Sequence, residues 1–360
     1  MASHVTASVI PSIDRSRHTN LTEDTVEYRP LGRTGVKVSS LCLGCMMFGG
    51  KTEPDESARI IDRALDAGIN FLDTANVYNA GRSEEVVGEA LKSNGRRRDI
   101  VLATKVHWKM GDGVNDWGNT RRHIIEQCDA SLRRLQTDYI DLYQIHRPQP
   151  EIPIDETLRA LDDLVHAGKV RYIGSSTFAA WQLVESLWVS KDLGLNRFVS
   201  EQPPYNLLDR RIERELLPMA QTYGFGVIPW SPLAGGLLTG KYHRGEEPPS
   251  GSRYFDYEHN PLLRHRMTER IYDVVEGLEP LATEKGVPLS QLALAWVAQR
   301  PGITCPIIGP RTMEQIEDNL GALEVTFTED ELKRIDRVAR RGEAVAPFYE
   351  AAFGPHPYRI

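Results

Sequence analysis

An α/β fold of eight strand–helix units, closed into a (β/α)8 TIM barrel, is what three features of the 360-residue sequence predict. Short apolar runs recur along the chain, each followed by a polar or Gly-containing break and then a segment with helical spacing. The intervening segments carry single apolar stripes, Ile124, Cys128, Leu132 and Leu135 in one and Leu158, Leu161, Leu164 and Val165 in another, which read as helices packed on a core. No Pro/Ser-rich linker divides residues 28–340. Strands alternating with helices imply βαβ units and a parallel sheet, and right-handed crossovers leave either an open doubly wound sheet or a closed barrel. Eight units favour the barrel, whose typical length of roughly 250 residues fits that span with insertions.

In chain order the apolar runs are 38–47, 70–74, 100–106, 140–146, 170–175, 197–202, 226–230 and 304–308. Residues 1–27 are polar, aperiodic and rich in Ser and Thr, and read as a loose terminal extension. The barrel domain is expected over 28–340, with 341–360 as a C-terminal tail. The tail carries Phe348, Tyr349, Phe353 and Tyr358, which either pack on the barrel or reach a substrate. The longest break, 234–261, contains Gly235-Gly236, Pro248-Pro249 and Gly251; a break of that length inside a compact domain reads as a functional lid or as a disordered insertion.

Composition narrows the function classes. With 41% apolar, 8% aromatic and 26% charged residues, the chain can bury a large core and lacks the signature of disorder. Forty-three basic against 50 acidic residues give a net charge of −7, and the longest basic run is only Arg96-Arg97-Arg98, so no nucleic-acid partner is expected. The longest apolar stretches fall well short of the roughly 20 residues that cross a bilayer. Four cysteines are too few for a disulfide scaffold, and the start lacks a signal-peptide core, so a reducing cytoplasm is the expected compartment. Cys42 and Cys45 form a C-x-x-C with no second pair at zinc spacing, and residues three apart on a strand face opposite sides. They read as packed thiols, and no metal is expected.

In a barrel of this kind the active site lies at the C-terminal ends of the strands. The second run ends in Asp73-Thr74 and continues to Tyr78, the third holds Thr104-Lys105, and the fourth closes on Gln144-Ile145-His146. Later runs close with Ser175-Ser176-Thr177, Glu201-Gln202 and Trp230-Ser231. An acid, a phenol, an amine and an imidazole thus converge on one mouth. An isolated Asp73–Lys105 pair could be a structural ion pair, but Tyr78 and His146 beside it change the reading. A phenol with a pKa near ~10 is a poor acid at neutral pH unless a cation stabilises its phenolate, and a strand-end Lys held by an Asp can do that. The alternative use of Lys105 is a Schiff base with a carbonyl substrate.

Neither G-x-G-x-x-G after a strand nor G-x-x-x-x-G-K-[ST] occurs, so Rossmann and P-loop binding are unsupported. Barrels commonly hold phosphate after strands seven and eight at a helix start. Here the chain offers Gly309, Arg311, Thr312 and Gln315, with capping-box spacing between the last two. A free helix start next to Arg311 is a candidate anion site; the plain alternative is an ordinary capped helix with a surface Arg.

These residues resemble the aldo-keto reductase superfamily over nearly the whole span from Tyr28 to about Asp336. Asn70-Phe71-Leu72-Asp73-Thr74-Ala75-Asn76-Val77-Tyr78, followed by Gly81, Ser83, Glu84 and Gly88-Glu89-Ala90-Leu91, is similar to the family's first signature. Tyr139-Ile140-Asp141-Leu142-Tyr143-Gln144-Ile145-His146 resembles the second, and Pro306-Ile307-Ile308-Gly309 with Arg311, Gln315 and Asn319 resembles the phosphate-end segment. The resemblance implies a catalytic tetrad of Asp73, Tyr78, Lys105 and His146, the same four found from the strand ends. It also implies a nicotinamide cofactor, usually NADP, bound across the mouth. Ser176 and Gln202 would hold its carboxamide and Trp230 would stack on its ring. Ser231, Leu233, Gly235 and Lys241 would lie along the pyrophosphate, and Gly309, Arg311, Gln315 and Asn319 at the adenosine end. This chain has Ser176-Thr177 where many members have Ser-Asn. The segment from Trp230 to Leu237 and the Arg-x-x-x-Gln-x-x-x-Asn pattern look closer to the bacterial and potassium-channel β-subunit branch than to the aldose reductase branch.

The expectation is therefore an NADPH-dependent oxidoreductase that reduces an aldehyde or ketone to an alcohol, with Tyr78 as general acid. Its partner would be a small-molecule carbonyl substrate, and the sequence is compatible with a homo-oligomer. The rival readings are a nucleotide-deoxysugar keto-reductase of secondary metabolism and a cofactor-sensing binding subunit with little turnover.

Overall fold

Eight parallel strands form at the eight apolar runs. In the computed structural model, which describes residues 26–255, 263, 266–346 and 348, an antiparallel hairpin comes first: β1 (Tyr28–Pro30) and β2 (Lys37–Ser39). The parallel strands follow as β3 (Cys42–Gly44), β4 (Phe71–Asp73), β5 (Val101–Val106), β6 (Ile140–Ile145), β7 (Val170–Ser176), β8 (Phe198–Gln202), β9 (Gly226–Val227) and β10 (Ile307–Ile308). They pair in the order β10-β3-β4-β5-β6-β7-β8-β9. The ring closes through backbone bonds between the segments that carry β9 and β10: Thr304 N donates to Val227 O at 2.8 Å, and Ile307 N to Pro229 O at 2.8 Å. Residues 1–25 of the expected extension lie outside the described residues, as do Tyr349, Phe353 and Tyr358 of the tail.

One expectation changes. The run 38–47 is two pieces, because Val38 belongs to the hairpin and only Cys42–Gly44 enters the barrel. The physical reason is at the floor of the barrel. Leu31 and Val38 are fully buried with Cys42, Phe71, Val101, Ala103, Leu142, Ile228 and Cys305 in a cluster separate from the rest of the core. The hairpin thus stops the N-terminal end of the barrel. Gly32 between its strands is at φ +57°, and a Cβ there would lie 2.4 Å from Val199 O, so only glycine lets the turn press this close.

The larger core lies between sheet and helices. Helices α1 (Pro54–Asp66), α2 (Arg82–Asn94), α3 (Arg121–Leu135), α4 (Ile154–His166), α5 (Ala180–Leu193) and α6 (Leu216–Tyr223) follow successive strands. The predicted stripes are buried as expected: Ile124, Cys128 and Leu135 on α3, and Leu158, Leu161 and Leu164 on α4. Strand alternation separates the two cores, with Val101 and Ala103 facing the barrel interior and Leu102 and Val106 facing the helices. Cys42 and Cys45 fall on opposite sides in the same way; both are free and buried, and burial raises both thiols. After β9 come α7 (Glu269–Lys285) and α8 (Leu289–Ala298), and after β10 come α9 (Met313–Gly321) and α10 (Glu329–Val338). Among the described residues no helix is long and apolar enough to cross a membrane.

The break after β9 has its own structure up to residue 255. It turns sharply through Ala234, Gly235 and Gly236, all at positive φ, and Tyr254 folds back fully buried, its hydroxyl donating to Ala234 O at 3.4 Å. Residues 256–262, 264 and 265 lie outside the described residues.

Candidate active site

The phase that sends Val101 and Ala103 into the barrel also sends Lys105 there, two residues on, at the top. The same alternation brings Asp73 inward after Phe71, and Gln144 inward after Leu142. Register does the rest, since Asp73 is opposite Ala103 and Lys105 opposite Gln144. Lys105 is fully buried. Its Nζ donates to Asp73 Oδ1 at 2.5 Å, to Thr74 O at 2.8 Å and to Tyr78 Oη at 3.3 Å. Asp73 Oδ2 accepts from Gln144 Nε2 at 3.0 Å and from Gln202 Nε2 at 2.9 Å. Burial alone would lower the Lys105 pKa, but attraction to Asp73 and Tyr78 outweighs it and the net direction is upward. Lys105 therefore stays charged, and its charge is satisfied.

Tyr78 stands half-buried at the entry to a tight turn in which Asn79 and Ala80 take left-handed conformations. That turn is fastened from both sides. Asn79 Nδ2 donates to Met46 O at 3.1 Å and Phe48 O at 2.8 Å, while Ser83 Oγ donates to Cys45 O at 2.8 Å. The His146 ring meets the Tyr78 ring edge-on, with centroids 5.7 Å apart. Burial first, then the positive Arg147 and Lys105, push the His146 pKa well down, so the imidazole is neutral. Its Nδ1 is buried with no hydrogen-bond partner. The four residues expected from the strand ends are thus brought together, with a charged Lys105 touching the phenol oxygen and a neutral imidazole against its ring.

Beside this group, Ser176 Oγ donates to Gln202 O at 2.9 Å, and the half-buried Trp230 packs edge-on against the fully buried Phe348, 6.1 Å between ring centres. Of the tail's aromatics, Phe348 is thus a wall of this side, secured where its N–H donates to Asp209 Oδ2 at 2.7 Å. Gln202 commits its Nε2 to Asp73, which leaves Oε1 as the group it can offer a ligand.

The predicted phosphate end is electropositive. Lys241 is partly buried, and its pKa is lowered by burial first and then by the nearby charges of Arg311 and Arg253. Arg253 is lowered in turn by burial, Arg266 and Arg311. Four cations therefore sit close enough to repel one another. The turn beside them is tight: Gly235 and Gly236 sit at φ +67° and +104°, and a Cβ would press to 3.1 Å from Arg253 Cδ at the first and 3.2 Å from Lys241 Nζ at the second. Ser231 at φ +54° begins the turn, and its carbonyl accepts from Asn206 Nδ2 at 3.1 Å. Leu233 is half-buried, Gly309 exposed and Asn319 buried. Of the two readings left open for the start of α9, the capped helix is the one that forms. Met313 N donates to Glu56 Oε1 at 2.9 Å, Gln315 N to Thr312 Oγ1 at 3.3 Å, and Arg311 N to Gln315 Oε1 at 2.8 Å. The side chains of α1 and of the cap itself use the N–H groups, so attraction for an anion rests on Arg311, Lys241 and Arg253.

No motif in the sequence singles out Gln144, Arg147, Arg253 or Arg266. Gln144 was accessible, because it shares the inward phase of Leu142 and His146. Arg253 and Arg266 lie in and beyond the long break, where no periodicity indicates direction. Among the described residues, no group of three or more His, Cys, Asp or Glu is placed to hold a metal ion.

Comparison with known proteins gives a match to the model of the aldo/keto reductase family over residues 40–340. A probable voltage-gated potassium channel subunit beta of Oryza sativa subsp. japonica is 40% identical over 320 residues, 88% of this chain and 97% of that protein. An uncharacterized oxidoreductase of Bacillus subtilis, YrpG, is 42% identical over 322 residues, 87% and 96% of the two chains. A versiconal hemiacetal acetate reductase of Aspergillus parasiticus is 36% identical over 340 residues, 86% and 96% of the two chains.

Proposed function

Because the chain belongs to the aldo/keto reductase family, we propose that it is an NADPH-dependent carbonyl reductase in which Tyr78 is the general acid. The observation that carries this reading is the contact of Tyr78 Oη, 3.3 Å, with a fully buried Lys105 that Asp73 holds at 2.5 Å.

The residues present fit a phosphorylated nicotinamide cofactor. A glycine turn at positive φ lies against Lys241 and Arg253, and Arg311 adds charge where a ribose phosphate would need it. Ser176 Oγ and Gln202 Oε1 would hold the carboxamide, Trp230 would cover the ring, and Gln315 and Asn319 would meet the adenosine end. When bound, the reduced nicotinamide supplies a hydride to the carbonyl carbon. The protein's part is the proton. Tyr78 donates its hydroxyl proton to the developing alkoxide, Lys105 stabilises the tyrosinate left behind, Asp73 neutralises and aims Lys105, and solvent restores the phenol proton. His146, neutral in its buried place, hydrogen-bonds the carbonyl oxygen and orients it. A general acid of this kind contributes roughly 10²–10⁴-fold, and alignment and alkoxide stabilisation supply much of the rest.

The test is NADPH oxidation against a panel of aldehydes, ketones, dicarbonyls and keto-sugars. Turnover with any member supports the reading. Tight cofactor binding with no turnover across the panel overturns it and favours a cofactor-sensing subunit, a reading that the printed name of the rice relative keeps in view.

A further inference from the structure

We propose that Arg147 is a positioning residue: a single guanidinium that locks the His146 backbone, the Ser176–Thr177 turn and the indoles of Trp108 and Trp230 into one frame around the reacting carbonyl. The proposal rests on the carbonyl-reductase reading and assigns that site a residue beyond its four catalytic groups.

Arg147 follows His146 directly at the top of β6. Its Nη1 donates to His146 O at 2.6 Å and to Thr177 Oγ1 at 3.0 Å, and lies 3.5 Å from Ser176 Oγ. The guanidinium carbon is 6.0 Å from the Trp108 ring centre and 5.9 Å from that of Trp230. Four strand ends, those of β5, β6, β7 and β9, are joined through this one side chain. The row continues from Trp230 to Phe348, and from Phe348 to Arg266, whose guanidinium is 4.2 Å from the Phe348 ring centre. Two cations and three rings thus form one row across the mouth.

The turn that Arg147 holds is strained. Thr177 is β-branched and sits at φ +62°, a region such residues rarely occupy. Strain of that kind persists where the surroundings fix it, and it concentrates at functional positions. Here the turn is gripped from below as well: Thr177 N donates to Gln202 O at 3.2 Å and Phe178 N to Glu201 Oε1 at 3.0 Å. Arg147 grips the hydroxyl from above. A guanidinium suits this role because it donates in its plane while presenting both faces to rings, and an ammonium keeps the charge without that geometry.

The variants are Arg147→Ala and Arg147→Lys in the full chain. Near-ultraviolet circular dichroism of the ligand-free protein reads the order of the indoles without turnover, and steady-state kinetics with single-face deuterated NADPH reads alignment. Both variants are expected to lose part of the tryptophan bands. Their kcat is expected to fall about 10–100-fold, as misalignment by an ångström does, with KM for the carbonyl within a few-fold and with deuterium transfer no longer confined to one face. Unchanged tryptophan bands, or a kcat that Lys restores, overturn the proposal. If Arg147→Ala does not fold, Arg147→Lys carries the test. A wild-type protein that turns over no carbonyl defeats the functional reading, while the dichroism still judges Arg147 on its own.

Discussion

Glu201→Gln should make the protein more stable, and by more as the pH rises. Glu201 is fully buried on the helix side of β8, where its carboxyl accepts from Ser175 Oγ at 2.5 Å and from Phe178 N at 3.0 Å. Burial outweighs these hydrogen bonds and the charge of Arg147, and pushes the group from the ordinary 4.5 up to about 8. The folded pKa is thus above the unfolded one. The folded protein holds a proton that the unfolded chain has released, so the stabilisation is complete below about pH 4.5 and is lost progressively until the pH passes about 8. The gap between 4.5 and about 8, at about 1.4 kcal/mol per pH unit, amounts to roughly 5 kcal/mol. Gln mimics the protonated acid: its Oε1 keeps the Phe178 bond, its amide can donate to Ser175 Oγ, and it does not titrate. Urea denaturation of both proteins at pH 5, 6.5 and 8 should give a stability difference that widens by several kcal/mol over that range, flattening above pH 8. Curves that stay parallel would mean that Glu201 is ionised in the fold and that its two hydrogen bonds outweigh its burial.

Tyr78→Phe should leave NADPH affinity within a few-fold and lower kcat by about 10² or more, since only the proton donor goes; near-normal turnover would shift the acid role to His146. Arg311→Ala should weaken NADPH by about 10–100-fold and leave NADH nearly unchanged, the effect of losing one charge-assisted phosphate contact. Titration by quenching of tryptophan fluorescence measures both cofactors, and equal weakening of the two would place Arg311 on a shared part of them. Dialysis against EDTA should not change turnover, and stoichiometric zinc with loss of activity on chelation would show a metal that the residues described here do not gather.

The convergence of Asp73, Lys105, Gln144 and His146 on one mouth was legible because barrel strands obey a period of two. Once a run is read as a strand, Val101, Ala103 and Lys105 must share a face, and so must Leu142, Gln144 and His146. Strand order then brings those faces to one mouth. The hairpin was not legible, because nothing in the run 38–47 marks where the chain stops pairing with β1 and starts pairing with β4; that division is made by Leu31 and Val38 finding the open floor of the barrel. The capped start of α9 was half legible. Thr312 and Gln315 show their spacing in the sequence, but Glu56, which takes the Met313 N–H, is 257 positions away. Arg253 and Arg266 were invisible for the same reason, since a long break carries no period from which to infer direction.

The arrangement around Asp73 explains how a barrel can keep a charged lysine fully buried and still use it. A bare Lys–Asp pair in such a place gains too little from attraction to offset the loss of water. Here the second carboxylate oxygen is also satisfied, by the amides of Gln144 and Gln202, and Lys105 spreads its three donors over Asp73, Thr74 O and Tyr78. The three donors of Lys105 and both carboxylate oxygens of Asp73 thus all have protein partners, as a buried polar network requires. The network also links the two halves of the proposed chemistry. Gln202 spends its amide nitrogen on Asp73 and keeps its oxygen for the carboxamide, so the group that steadies the proton donor is the one that would orient the hydride donor. A change at Gln202 should therefore weaken cofactor binding and proton delivery together, whereas Gln144, which reaches only Asp73 and Gln202, should act on proton delivery first.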